Sequence, residues 1–81
     1  MSLGGEGMDI EVRLFATLRK GRWKKNIISY SHEVTPRDII NDINIKEEEV
    51  AILLINGRSE ELDTKLNDGD IVSIFPPVGG G

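Results

Sequence analysis

Hydrophobic and polar residues alternate near the start of the chain. Across residues 9–15 one side is aliphatic (Ile10, Val12 and Leu14), whereas Phe15 falls on the opposite side. A period of two is typical of a half-buried β-strand. A second strand is predicted from about Asn26 to Tyr30. The basic connection of residues 16–25 makes the pair a hairpin with a long loop.

A helix is predicted to follow. Thr35 can accept hydrogen bonds from first-turn amides, and Pro36 loses no needed hydrogen bond at the first helical position. Asp38 places negative charge at the positive end of the helix dipole. One apolar stripe then follows, made of Ile39, Ile40 and Ile43. Asn44 is a residue type that adopts the left-handed conformation at helix ends.

The second half of the chain begins with another hairpin. The apolar residues 51–55 predict a third strand, and Asn56-Gly57 is the pair favoured in type I′ turns. The chain then returns into a short strand near Arg58-Ser59. Leu62 and Leu66 are four residues apart, which predicts a single helical turn.

The last strand is predicted at residues 71–75, after a tight turn at residues 67–70. Pro76-Pro77 ends it, because proline cannot donate to a strand ladder. With so little helix, the one main helix must cover one face of a mixed sheet of about five strands. The sequence therefore predicts an α+β fold, the ubiquitin-like β-grasp. We expect residues 1–7 to be a flexible leader, residues 8–78 the β-grasp domain and residues 79–81 a free glycine tail.

Composition limits the range of functions. The 81 residues suffice for one domain, and 38% hydrophobic with 30% charged residues is typical of a globular chain. A net charge of −4 argues against a nucleic-acid partner, which would require a basic stripe. The longest apolar run, residues 50–55, is far below the roughly 18–20 residues of a membrane span. Without a membrane span or a secretory signal, we expect a cytoplasmic protein and no membrane partner.

Side chains suited to catalysis are scarce. There is no cysteine, which excludes disulfides, thiolate nucleophiles and cysteine-ligated metals. His32 is the only histidine and lies beside Glu33 in a predicted loop, which is typical of a surface residue. A zinc site needs three or four ligands. We therefore expect no metal site, no permanently bound cofactor and no catalysis by the chain alone.

The glycine tail is the remaining candidate for chemistry. Glycine has no Cβ, so Gly79, Gly80 and Gly81 can pass through a channel too narrow for other residues. Pro76-Pro77 stiffens the exit from the sheet. An α-carboxyl has a pKa of about 3.5, so Gly81 carries an anion that is a poor electrophile at neutral pH. It must be activated, for example as an acyl-adenylate made by another protein from ATP.

Two segments carry a resemblance to a known family. Residues 66–70 (Leu-Asn-Asp-Gly-Asp) and the ending Phe75-Pro76-Pro77-Val78-Gly79-Gly80-Gly81 resemble the molybdopterin synthase small subunit, the MoaD family of the MoaD/ThiS-like ubiquitin-related sulfur carriers. Residues 13–19 are similar to that family's first strand and following turn. A bare Gly-Gly end is shared with the thiamine sulfur carrier and ubiquitin-like modifiers, so the Phe-Pro-Pro-Val lead is the specific element. Gly79 and the charged residues 19–25 depart from the family pattern.

The resemblance implies a non-catalytic, sulfur-donating subunit. An adenylating enzyme related to ubiquitin activators (MoeB-like) would use ATP to activate Gly81, and a sulfur relay would convert it to a thiocarboxylate. The tail would then enter the synthase large subunit (MoaE-like). There it would give sulfur to a cyclic pyranopterin precursor, forming the dithiolene of the molybdenum cofactor. Gly81 is the implied sulfur-bearing residue, with Gly79 and Gly80 giving access.

Strand parity predicts a docking surface beside the tail. If the aliphatic side of each strand faces the helix, Phe15 and Phe75 lie on the open face of the sheet. The first and last strands of a β-grasp are parallel neighbours, so both rings lie near the tail. Two adjacent exposed aromatic residues indicate a contact surface, and the expected partner-binding residues are Phe15, Phe75, Pro76, Pro77 and Val78. Trp23 is either a third contact or a loop residue folded onto the domain's own edge.

Three other functions are compatible with the sequence. The chain could be a thiamine-pathway (ThiS-like) sulfur carrier, which the Phe-Pro-Pro-Val lead disfavours. It could be a ubiquitin-like protein modifier that forms isopeptide bonds to lysine through Gly81. It could also be a plain binding module with an inert tail, the usual fate of terminal glycines.

Overall fold

The computed structural model describes residues 7–78. Within this range it has five β-strands and one α-helix. The strands are β1 (Met8–Leu14), β2 (Lys25–Tyr30), β3 (Ile52–Ile55), β4 (Arg58–Ser59) and β5 (Ile71–Phe75). Helix α1 spans Pro36–Asp42, and 3₁₀ turns occur at Ala16–Arg19 and Glu47–Glu49.

The strands form one mixed sheet in the order β2-β1-β5-β3-β4. The central strands β1 and β5 are parallel, with Val12 opposite Val72 and Leu14 opposite Ile74. The other three pairings, β1 with β2, β3 with β5, and β3 with β4, are antiparallel. Parallel neighbours need a crossover connection, and the segment that contains α1 provides it. The prediction of a β-grasp sheet with one helix is confirmed.

The core lies between the sheet and α1. The residues predicted to face the helix are fully buried in β1 and β5 (Ile10, Val12, Leu14, Val72 and Ile74). Ile39 and Ile40 of α1 pack in the same cluster. Each such side chain contributes about 1.5–3 kcal/mol when fully buried. The period-two pattern therefore assigns the buried and open sides of β1 and β5 correctly.

Both ends of α1 follow the sequence signals. The Thr35 hydroxyl accepts a hydrogen bond from the Asp38 amide, and the Asp38 carboxylate accepts one from the Thr35 amide at 3.0 Å. This reciprocal capping box satisfies two amides that the first turn would otherwise leave unpaired. At the other end Asn44 has a φ of 62°, the left-handed conformation that stops the helix.

The turns agree with the sequence, but one predicted helical turn is wrong. Asn56 and Gly57 both have positive φ (53° and 83°), as a type I′ turn requires. Leu62 and Leu66 do not lie in a helix. The amide of Leu66 instead donates to the Val34 carbonyl at 3.0 Å, so this segment bonds to the chain before α1. Leu66 is buried in the core and Leu62 packs partly buried against it, so the four-residue spacing arises in an irregular connection.

No helix among residues 7–78 has both the length and the apolar character needed to cross a membrane.

Candidate functional site

The rings of Phe15 and Phe75 stack on the open face of the sheet. Their centroids are 4.1 Å apart and their planes differ by 11°. The register of β1 against β5 produces this contact, because the Phe15 amide donates to the Ile74 carbonyl at 3.2 Å. Leu14 lies opposite Ile74, and each is followed by a phenylalanine. The two phenylalanines therefore point to the face opposite Leu14 and Ile74. The structure confirms the predicted position of both rings.

An apolar groove extends from this pair toward the end of β5. It has a volume of about 420 Å³ and is lined by Phe15, Ala16, Thr17, Ile52, Phe75, Pro76, Pro77 and Val78. The structure thus brings together all five residues that the sequence nominated for partner binding. Their role in binding stays a prediction.

Ile52 belongs to this groove, and the sequence did not nominate it. It lies directly opposite Phe75 in the antiparallel pairing of β3 with β5, and it is 51% exposed. Residues 51–55 are apolar at every position, so their pattern does not distinguish the buried side from the open side. Only the register against Phe75 assigns Ile52 to the open face.

Basic side chains border the other side of Phe15. The Arg19 guanidinium carbon is 5.4 Å from the centre of the Phe15 ring, within range of a cation–π contact. Its Nε also donates to the Leu14 carbonyl at 2.8 Å, which fixes the side chain over the ring. A second groove, of about 290 Å³, is lined by Arg13, Phe15, Arg19, Lys24 and Lys25. We call it the basic groove.

The loop tryptophan faces inward. Trp23 is half-buried and packs against the hydrophobic core. Of the two alternatives that the sequence left open, packing on the domain's own surface is the one observed.

The predicted reactive residues Gly79, Gly80 and Gly81 lie outside the described residues. The last described residue, Val78, is 94% exposed and belongs to the apolar groove. The chain therefore leaves the described domain from an open position beside Phe75.

The histidine, the carboxylates and the tyrosine are also candidates for a site within residues 7–78. His32 is exposed, and its Nδ1 lies 2.9 Å from the Glu33 carbonyl oxygen. Nowhere in this part of the chain do three histidine or carboxylate side chains converge as metal ligands. Burial, followed by the nearby Asp42 carboxylate, raises the pKa of Tyr30 to about 12, so this phenol stays protonated at neutral pH.

The mixed sheet with one helix is the fold of small ubiquitin-like proteins, and comparison with known proteins agrees. The model of the ThiS family matches residues 12–81. The chain belongs to this family, whose members share the ThiS/MoaD β-grasp fold. The resemblance to the MoaD/ThiS-like sulfur carriers is thereby confirmed.

Three relatives indicate the range of the family. Small archaeal modifier protein 3 of Haloferax volcanii is 33% identical over 91% of this chain and 100% of its own length. A Pyrococcus furiosus protein assigned as molybdopterin converting factor subunit 1 is 30% identical, with a TM-score of 0.70 over 88% of this chain and 99% of its own. A complex of subunits 1 and 2 of molybdopterin-converting factor from Helicobacter pylori contains a chain that is 28% identical. Its TM-score is 0.63 over 91% of this chain and 100% of that chain.

Proposed function

We propose that this chain is a sulfur carrier, the small subunit of a molybdopterin synthase, and that Gly81 carries the sulfur as a thiocarboxylate. The observation that supports this most is the apolar groove, because the Phe-Pro-Pro-Val lead contributes half of its lining at the point where the glycine tail begins. A docking surface continuous with the tail lets one binding event deliver the chain end into a partner's active site.

Activation requires a separate enzyme. The Gly81 carboxylate attacks the α-phosphate of ATP, pyrophosphate leaves, and an acyl-adenylate forms. A sulfur nucleophile at the sulfide oxidation level then displaces AMP, which departs with one of the original carboxylate oxygens. We assign this step to a ubiquitin-activator-like (MoeB-like) enzyme, and the chain itself binds no permanent cofactor.

Sulfur delivery requires a large subunit of the MoaE type. The Helicobacter pylori relative has been solved as a complex of subunits 1 and 2, which supports a partner of this kind. The stacked rings of Phe15 and Phe75 would be buried at its surface, and aromatic anchors of this kind dominate the energy of many interfaces. The tail would then transfer sulfur to a pterin precursor to form a dithiolene.

A second candidate function is protein modification through Gly81. The 33% identity with small archaeal modifier protein 3, over nearly the whole chain, favours it. Both functions begin with the same acyl-adenylate and differ in the nucleophile, sulfur in one case and a lysine amine in the other. A thiamine-pathway carrier uses the same sulfur chemistry, but the Phe75-Pro76-Pro77-Val78 lead favours the synthase.

Intact-mass spectrometry tests the proposal. The purified chain is incubated with ATP, its adenylating enzyme and a sulfur donor. The carrier function predicts a mass increase equal to the replacement of one oxygen by sulfur, located at Gly81. Lysine conjugates in lysate without any thiocarboxylate would favour the modifier, and an unchanged chain end would contradict both functions.

A further inference from the structure

Charge is unevenly distributed along this acidic chain. Six of its ten basic residues and none of its fourteen acidic residues fall between positions 12 and 32. These six are Arg13, Arg19, Lys20, Arg22, Lys24 and Lys25. The rest of the chain holds every carboxylate and only four basic side chains. The net charge of −4 therefore conceals a strongly positive segment.

Part of this charge is concentrated in the basic groove. Arg13 is paired with Glu11 at 2.6 Å. Among residues 7–78, no salt bridge engages Arg19, Lys24 or Lys25. Three uncompensated cations thus border one open groove of about 290 Å³. A concavity lined by one sign of charge raises the local concentration of the opposite charge.

The loop that presents these cations is held in place. Leu18 is buried, with 2% of its surface exposed, and Trp23 packs on the core. The Lys24 carbonyl accepts a hydrogen bond from the Leu14 amide at 2.9 Å, which attaches the loop to β1. A fixed arrangement loses less conformational entropy on binding than a flexible one.

We propose that the basic groove docks carboxylate side chains of the protein that activates Gly81. Phe15 lines both the basic groove and the apolar groove, so the two form one continuous surface. The partner would therefore present acidic side chains to the basic groove and an adjacent apolar surface to the apolar groove. A nucleic acid fits less well, because the carboxylates of the rest of the chain repel a long polyanion and the Phe15 ring is already stacked on Phe75.

This inference rests on the proposed function, and its test uses the adenylating enzyme from the same organism. The double variant Lys24→Glu/Lys25→Glu removes the net positive charge of the groove lining, because Arg13 and Arg19 then face two carboxylates. The control Lys46→Glu/Lys65→Glu makes the same change in net charge at lysines that do not line it. Lys65 forms a salt bridge with the exposed Glu33 at 3.4 Å, a surface pair of small energetic value. Association rates of all three chains with the enzyme are measured at low and high salt, and adenylate formation is measured separately.

We expect the groove variant to associate about tenfold more slowly at low salt, since electrostatic steering has effects of this size. At high salt the association rates of the groove variant and the wild-type chain should become similar. The control variant should associate only slightly more slowly than wild type, because of its changed net charge. Equal rates for the two double variants, or no association of the wild-type chain, would overturn the inference. The inference would also be overturned if the wild-type chain bound inorganic tripolyphosphate while the groove variant associated with the enzyme as fast as wild type. Wild-type binding without adenylate formation would instead contradict the proposed function.

Discussion

Arg22 donates a hydrogen bond from Nη2 to the carbonyl of Asn44, 22 residues further along the chain, at 2.9 Å. Its Nε donates to the Ile43 carbonyl at 3.0 Å and its Nη1 to the Leu18 carbonyl at 3.1 Å. One guanidinium thus joins the β1–β2 loop to the end of α1. The last carbonyls of a helix lack partners within it. Arg22 supplies hydrogen-bond donors to the carbonyls at the end of α1, where Asn44 turns the chain.

We expect Arg22→Ala to destabilise the domain by about 1–3 kcal/mol, because hydrogen bonds from a charged donor are worth roughly that much. Arg22→Lys should recover only part of the loss, since an ammonium group lacks the planar fork of the guanidinium. Chemical denaturation followed by the fluorescence of Trp23, the single tryptophan, measures this. Lys20→Ala, in the same loop, is the control. If both alanine variants unfold alike, Arg22 does not anchor the loop.

The fold could be predicted because period-two and turn signals act locally. The even positions of β1, the Thr35 cap and the Asn56-Gly57 turn each have a local physical cause, and each is observed. The predicted helical turn at Leu62 and Leu66 is wrong because two apolar residues four positions apart can also contact the core from an irregular segment. Nothing in local sequence indicates that Leu66 bonds to Val34.

The candidate site was only partly predictable. The alternation of side chains along each strand and the parallel pairing of the first and last strands were sufficient to predict that Phe15 and Phe75 lie together. Ile52 required the register of β3, which an entirely apolar segment does not specify. The role of Arg22 depends on a contact between the β1–β2 loop and the distant end of α1, and the sequence showed only a basic stretch.

Phe75→Ala is expected to weaken binding to the large subunit by about 2–4 kcal/mol, the range for a buried aromatic anchor. The free domain should lose less stability than this, because the half-buried ring lies on the open face and its pairing with Phe15 adds only about 0.5–1.5 kcal/mol beyond area burial. Calorimetric binding and thermal melting separate the two effects. Ile27→Ala is the control, since Ile27 is 61% exposed on the outer strand β2. A large loss of stability with unchanged affinity of the folded fraction would make Phe75 a core residue.

Tyr30 should make the domain sensitive to alkali. Its pKa is raised from 10.0 to about 12 by burial and then by Asp42, whose Oδ2 accepts from the hydroxyl at 3.3 Å. The stabilisation is complete below the unfolded pKa, and it is lost as pH rises through the folded pKa, because the unfolded phenol ionises first. Tyr30→Phe should therefore lose less stability between pH 10.0 and about 12.

Ultraviolet titration of tyrosinate gives the pKa directly, since Tyr30 is the only tyrosine. Asp42→Asn should lower the midpoint but leave it above the ordinary value, because burial is the larger cause. Circular dichroism at each pH shows whether the domain is still folded. A wild-type midpoint near 10.0 in folded protein would contradict this prediction.

The last prediction concerns the chain end. Activation needs a free α-carboxylate on Gly81, so residues added after Gly81 should abolish sulfur loading while the fold is retained. Both this extension and Gly80→Val lie beyond β5, so stability should stay within about 0.5 kcal/mol of wild type. Gly80→Val should act less completely, because a branched side chain must enter a channel that suits glycine.

An extension that a protease removes provides the matched control, because cleavage regenerates Gly81 on the same molecule. The sulfur carrier and the modifier both predict loss of activation before cleavage and recovery after it. They differ in the product, since the carrier gives a thiocarboxylate and the modifier gives lysine conjugates. An inert tail predicts no effect of the extension at all. The central proposal therefore fails if an extended, uncleaved chain still restores molybdoenzyme activity to cells that lack the carrier, because no acyl transfer from Gly81 can then be required.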